Sequence, residues 1–214
     1  MPVNDSDKNA ATIKKLNSRF QGLCFLGVMV ILLFGGNLIN NIVGVYEEQG
    51  DFLKMSDFDV ILAHIKALFP LLFLCVYIWG ARLCYLAWEQ IPKDIARTTP
   101  GKAAWLLFIP IFHLFWIFVA VWGLARDMNK TLAMHPGTQN RVSEFLGLTV
   151  CALPILFLFF AFCFPPYAMF IEILDMRSAN DIVVLVAQMT FIVWNIVWIL
   201  FFKSVKNGAI AMLG

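Results

Sequence analysis

Charge is scarce in this chain. Of its 214 residues only 14% are Asp, Glu, Lys or Arg, where soluble domains carry about 25%. Five cysteines are present, Cys24, Cys75, Cys84, Cys151 and Cys163, but no two form a C-x-x-C pair and all lie in or beside apolar stretches. That pattern excludes a disulfide framework and a cysteine zinc site, and makes them small apolar residues. The three histidines have no H-E-x-x-H setting, and the G-x-S-x-G, P-loop and dinucleotide fingerprints are missing. No pair of carboxylates lies inside an apolar stretch, where acid–base chemistry in a bilayer would need one. No catalytic activity, cofactor or metal is expected, and the short basic runs are too sparse for a nucleic-acid surface.

What the chain has is apolar mass: 61% hydrophobic residues, 21 Phe, 7 Trp and a mean hydropathy of +0.79. A water-soluble domain could not cover that much apolar surface, so the chain is expected to be an integral membrane protein. A spanning helix needs roughly 20 apolar residues to cross a hydrocarbon core about 30 Å thick. Five segments qualify: 20–46, 62–83, 103–125, 145–171 and 182–202. The second carries His64, Lys66 and Arg82 near its ends, where long basic side chains reach the headgroups. The first segment is too long for the apolar core of a cleavable signal, roughly 7–15 residues. The expected organisation is a polar cytoplasmic tail over 1–19, one transmembrane helical domain over 20–206 and a short tail over 207–214.

Lys and Arg near span ends mark the cytoplasmic side. With five crossings and the N-terminus inside, nine such residues fall inside and seven outside, which is almost no bias. If segment 103–125 instead enters and returns on one side, the split becomes thirteen against three. The same arrangement puts both acidic connections outside, one with Glu47, Glu48, Asp51, Asp57 and Asp59, the other with Glu172, Asp175 and Asp181. Pro110, inside segment three, removes a backbone hydrogen bond and favours a bend. The expected fold is an all-α membrane bundle of four crossing helices plus one bent or re-entrant segment, the alternative being five crossings.

The stretch 97–129 carries a pattern of its own. Thr99-Pro100-Gly101-Lys102-Ala103 opens it; Phe108, Ile109, Pro110, Phe112, Leu114, Trp116 and Phe118 form its centre; Gly123, Leu124, Ala125, Asp127 and Asn129 close it. It resembles a signature of uncharacterised bacterial multipass membrane proteins, some fused to a GYF-like domain, which reads T-P-G-K-A, F-I-P-x-F-N-L-Y-W-x-F and G-L-A-x-D-x-N. His113 stands where that pattern has Asn and Phe115 where it has Tyr. The resemblance implies a bacterial inner-membrane location and no particular activity; no GYF-like domain is present. Physically, Pro100 and Gly101 suit a helix entry, while Lys102 and Arg126 bracket the segment as headgroup anchors. Trp105 and Trp122 are placed as interfacial belt residues, and Asp127 and Asn129 are placed to cap backbone or pair with Arg126. His113 follows Pro110 by three residues, so its ring is expected to serve a carbonyl freed by the proline, with a proton relay as the second reading.

Polar residues inside apolar segments are costly and therefore candidates. Asn37, Asn40 and Asn41 share one face of the first segment; Gln188 and Asn195, seven apart, share one face of the fifth. A polar seam joining the two faces would be hydrogen-bonded glue or, less simply, a solute path. The functional expectation is a non-catalytic membrane protein acting by protein contact in the bilayer, for example an immunity or regulatory protein against a membrane-acting toxin. A small oligomeric channel or transporter subunit is the alternative. Expected partners are the lipid bilayer and another membrane protein or a second copy of the chain, with no nucleic acid.

Overall fold

The computed structural model describes residues 5–47, 74–134, 140–156 and 177–213. Among them every regular element is helical. Helix α1 covers Asp5–Glu47, α2 covers 74–89, α3 Pro100–Trp105, α4 Pro110–Ile117, α5 Gly123–Ala133, α6 Glu144–Leu156 and α7 Arg177–Leu213. A 3-10 turn, Leu106–Phe108, follows α3, and a π-turn, Phe118–Trp122, joins α4 to α5 into one continuous helix. At 43 residues, α1 is about 65 Å long at 1.5 Å per residue, so it outruns any hydrocarbon core. The polar stretch ahead of the first apolar segment is thus the opening of a helix, held by buried Leu16. The residues after the fifth segment are helical as far as Leu213.

Contacts fix how the helices run. Asn9 Nδ2 donates to the Leu213 carbonyl at 2.9 Å, Lys206 lies over the Phe20 ring, and Gly27 faces Ile199, so α1 and α7 are antiparallel. Asn129 meets Val142, Gly147 meets Trp122 and Ala125, and Cys151 reaches Ile117, so α6 runs back along α4–α5. Along α7, Gly208 meets Val142, Ser204 meets Ser143 and Trp194 meets Val150. In contrast, Tyr77 is level with His113 and Cys84 with Ala120, so α2 is parallel to α4. These registers gather Lys14, Lys15, Arg19, Lys93, Arg97, Arg126, Lys130, Arg141, Lys203 and Lys206 at one end of the molecule.

Large side chains pack onto glycines between helices. A Cβ on Gly80 would lie 2.6 Å from the Trp198 ring, and one on Gly22 would collide with the Trp79 ring. Trp198, Phe201, Phe202, Trp88, Leu83 and Leu23 are all buried in the centre. Among the described residues the indole N–H groups of Trp79 and Trp198 are buried without an acceptor. These are the two tryptophans seated on glycines, so at both positions close packing wins over hydrogen bonding.

Two findings bear on the expected architecture. Among the described residues two helical stretches are long and apolar enough to cross a membrane, Ile111–Ala133 and Gln188–Leu213, fewer than the four expected. For segments two and four only 74–83 and 145–156 are described, which is too short for a span. Secondly, segment 103–125 is not one helix bent at Pro110. The chain leaves helical geometry at Ile109, with φ −87° and ψ 112°, and Pro110 opens α4. There its fixed φ suits the first turn and its missing N–H is no loss.

Candidate functional site

The stretch 97–129 folds as a hairpin. Its first arm is the extended lead-in at Arg97, α3 and the 3-10 turn; its second is α4, the π-turn and the start of α5. Thr99 caps α3, its Oγ1 accepting from Lys102 N–H at 3.4 Å, and Pro100 sits in the first turn. The Lys102 carbonyl accepts from Trp116 Nε1 at 3.1 Å, a contact that requires the first arm to lie back along the second. Ala103 is wholly buried between the arms, whereas nothing lies within 4 Å of where a Gly101 Cβ would stand.

At the tip three polar atoms meet. Tyr77 Oη is 2.7 Å from His113 Nδ1 and 2.9 Å from the Leu107 carbonyl, and His113 Nδ1 is 3.0 Å from the same carbonyl. The chain reversal ahead of Pro110 leaves Leu107 without a helical N–H partner, and the hydroxyl of Tyr77 donates to it instead. Tyr77 also packs edge-on against Phe108. Sequence reasoning missed Tyr77, which belongs to another helix and sits in no motif.

At the open end the two arms are tied by charge. Arg97 Nη2 donates to Asp127 Oδ1 at 2.7 Å, while its Nε and backbone N–H donate to Oδ2 at 2.9 and 3.1 Å. Asp127 is buried and Arg97 is one-third exposed; Lys130 Nζ adds a contact at 3.5 Å. Asp127 lies past the apolar stretch 103–125. Burial works to raise its carboxyl, but the guanidinium and backbone N–H of Arg97, with Lys130 beside them, outweigh that and hold it below the ordinary value. A Cβ on Gly123 would stand 3.1 Å from Arg97 Cδ, so the glycine clears the path of the arginine towards Asp127. Arg126, expected to pair with Asp127 or Asn129, lies instead over the Trp122 ring at 4.9 Å and 3.7 Å from Glu144. Asp127 takes Arg97, thirty residues back in the chain.

Asn129 ties the hairpin to the next helix. Its Nδ2 donates to the Val142 carbonyl at 2.9 Å and its Oδ1 accepts from Val142 N–H at 2.8 Å, so the side-chain amide pairs with the backbone as a second strand would. Ser143 then caps α6, its Oγ accepting from Leu146 N–H. In the middle of the hairpin the π-turn presents the Ala120 carbonyl to α2, where Trp88 Nε1 donates at 2.9 Å and Cys84 Sγ at 3.4 Å. Trp105 projects outward, 74% exposed.

Of the expected polar seam, the side chains of Gln188 and Asn195 fall among the described residues. Asn195 is buried, but its Nδ2 donates to Phe191 of its own helix at 3.0 Å. The α1–α7 register places Gln188 level with the turn holding Asn37, Asn40 and Asn41, and leaves Asn195 two turns away. The side chains of those three asparagines lie outside the described residues. No family model, curated protein or solved structure matches the chain.

Proposed function

We propose that this is a non-catalytic, multi-pass protein of a bacterial inner membrane that works by protein contact within the bilayer. An immunity or regulatory protein against a membrane-acting toxin is one concrete form. In this reading the N-terminus is cytoplasmic, four helices cross, and 97–129 is a re-entrant hairpin. The ion pair between Arg97 and Asp127 supports that topology, because residues flanking a full crossing would be a membrane apart. The gathering of basic residues at the same end supports it further. The signature in 97–129 supports kinship with the bacterial group it resembles.

The observation that carries the contact function is the outer face of the hairpin. Trp105, Ile111 and Phe115 are 74%, 88% and 65% exposed, and Phe112 stacks on Trp116 with centroids 5.4 Å apart. Rigid aromatic side chains on a fixed hairpin are apt anchors for a neighbouring protein. Photo-crosslinking side chains at Ile111 and Phe115 in native membranes should give one protein adduct of fixed mass. Phe25, equally exposed on α1, should give lipid adducts. Lipid adducts alone at all three positions count against the proposal. The alternative, an oligomeric channel or transporter subunit, rests on the asparagine and glutamine residues, and Asn195 bonded within its own helix lends it little. Solute flux in proteoliposomes that Asn195→Leu abolishes would restore it.

A further inference from the structure

A groove of about 370 Å³ opens between α2 and the first arm of the hairpin, lined by Ile78, Arg82 and Tyr85 on one side and Ala104, Trp105 and Phe108 on the other. Its lining is mostly apolar, and Arg82 is the one charged residue in it. Among the described residues Arg82 has no hydrogen bond or ion pair. Its depth follows from α2: Cys84, two residues on, is level with Ala120, which lies seven residues inside Asp127, about 10 Å along a helix axis. A guanidinium at that depth with no carboxylate partner among the described residues is costly to hold. It is also unlike the basic residues of the open end, where Arg97, Arg126 and Arg19 all have a carboxylate or an indole.

We infer that this groove binds one anionic phospholipid of the cytoplasmic leaflet, its phosphate on Arg82 and part of an acyl chain between Ile78 and Phe108. The inference rests on the membrane topology proposed above. The charge is complementary: a guanidinium offers a planar fork that takes two phosphate oxygens at once. The volume suits a small ligand, for which sites run roughly 300–1,000 Å³, and a protein helix about 10 Å across would fill it in about one turn. A lipid of net negative charge offsets the unpaired cation, whereas a zwitterionic one brings a second cation with its phosphate.

The test is a thermal-unfolding titration of the full chain in detergent with phosphatidylglycerol or phosphatidylcholine. Phosphatidylglycerol should raise Tm saturably and phosphatidylcholine should not. Arg82→Gln, a change at an exposed side chain, should weaken the apparent phosphatidylglycerol affinity roughly tenfold, as expected for loss of charged hydrogen bonds. Ala104→Phe, which fills the groove and leaves Arg82 in place, should abolish saturation. Lys93→Gln, at the basic end and outside the groove, should bind as the wild type does. Unchanged affinity in Arg82→Gln, equal loss in Lys93→Gln, or equal shifts by the two lipids overturns the inference. Recovery of the wild type in the membrane fraction checks the underlying topology separately.

Discussion

Asp127 shows how much one side chain can organise. It receives three N–H donors from Arg97 in an environment closed to water. Removing either partner is costly, but not equally. Arg97→Ala strands a buried carboxylate, for which losses of about 3–5 kcal/mol are usual; Asp127→Asn leaves a guanidinium that is one-third exposed and that water can serve. Chemical unfolding in micelles should therefore find Arg97→Ala the less stable variant, and the reverse order would refute the clasp. Since the folded-state carboxyl is held below its ordinary value of 3.8, its stabilisation is full above that value and is lost as pH falls through the lowered one. The stability gap between the wild type and Asp127→Asn should accordingly be open at pH 7 and shrink in strong acid.

His113 allows a second test at this scale. The pattern that 97–129 resembles carries Asn there, and an Asn side chain has both an N–H for the Leu107 carbonyl and an oxygen for Tyr77. His113→Asn should unfold close to the wild type, while His113→Leu should lose about 1–2 kcal/mol by leaving polar atoms at the tip short of a partner. Equal midpoints for the two variants would remove any structural role from the ring.

Among the elements, the hairpin was largely legible and the packing of long helices was not. Residues 97–129 announced themselves as a unit by their pattern, and the structure folds them as a hairpin closed by Arg97 and Asp127. The exact device was misread: Pro110 starts a helix, and the reversal lies in the four residues ahead of it. The glycine seats were invisible because a glycine within an apolar helix says that something comes close, without saying what. Only the fold pairs Gly80 with Trp198 and Gly208 with Val142. Gly80→Ala should cost about 1–3 kcal/mol, as overpacking does, because Trp198 is buried with no room to retreat. Gly101→Ala, into open space on α3, should be neutral or stabilise by up to about 1 kcal/mol. Thermal denaturation of the two variants side by side separates a packed glycine from a free one.

For the whole molecule the consequential statement is which ends lie together. Hydrogen bonds connect the start of α1 to the end of α7, the approach to α3 to α5, and the end of α5 to the start of α6 and thence to α7. Single cysteines at Lys93, Lys130 and Lys206 in a background lacking other exposed thiols should all be labelled from the cytoplasmic side of sealed vesicles. Labelling of position 206 from the opposite face would replace the four-crossing topology with five crossings. The composition pointed to a membrane from the outset, and the charge distribution is the ground for the proposed orientation. A protein-contact face was not legible, because aromatic side chains look the same in sequence whether lipid or protein covers them.

The pairing of α1 with α7 also has a bearing on synthesis. The bond from Asn9 to Leu213 closes a span of 204 residues, whereas the hairpin closes within about thirty. A chain emerging from the ribosome can complete the hairpin as soon as α5 is made. Its first helix can meet α2 early, where Gly22 faces Trp79, but must wait for α7 to complete its packing. Anything that stops translation before α7 therefore leaves a finished hairpin beside a first helix whose α7-facing side is bare, the kind of exposed surface that makes partly folded chains aggregate.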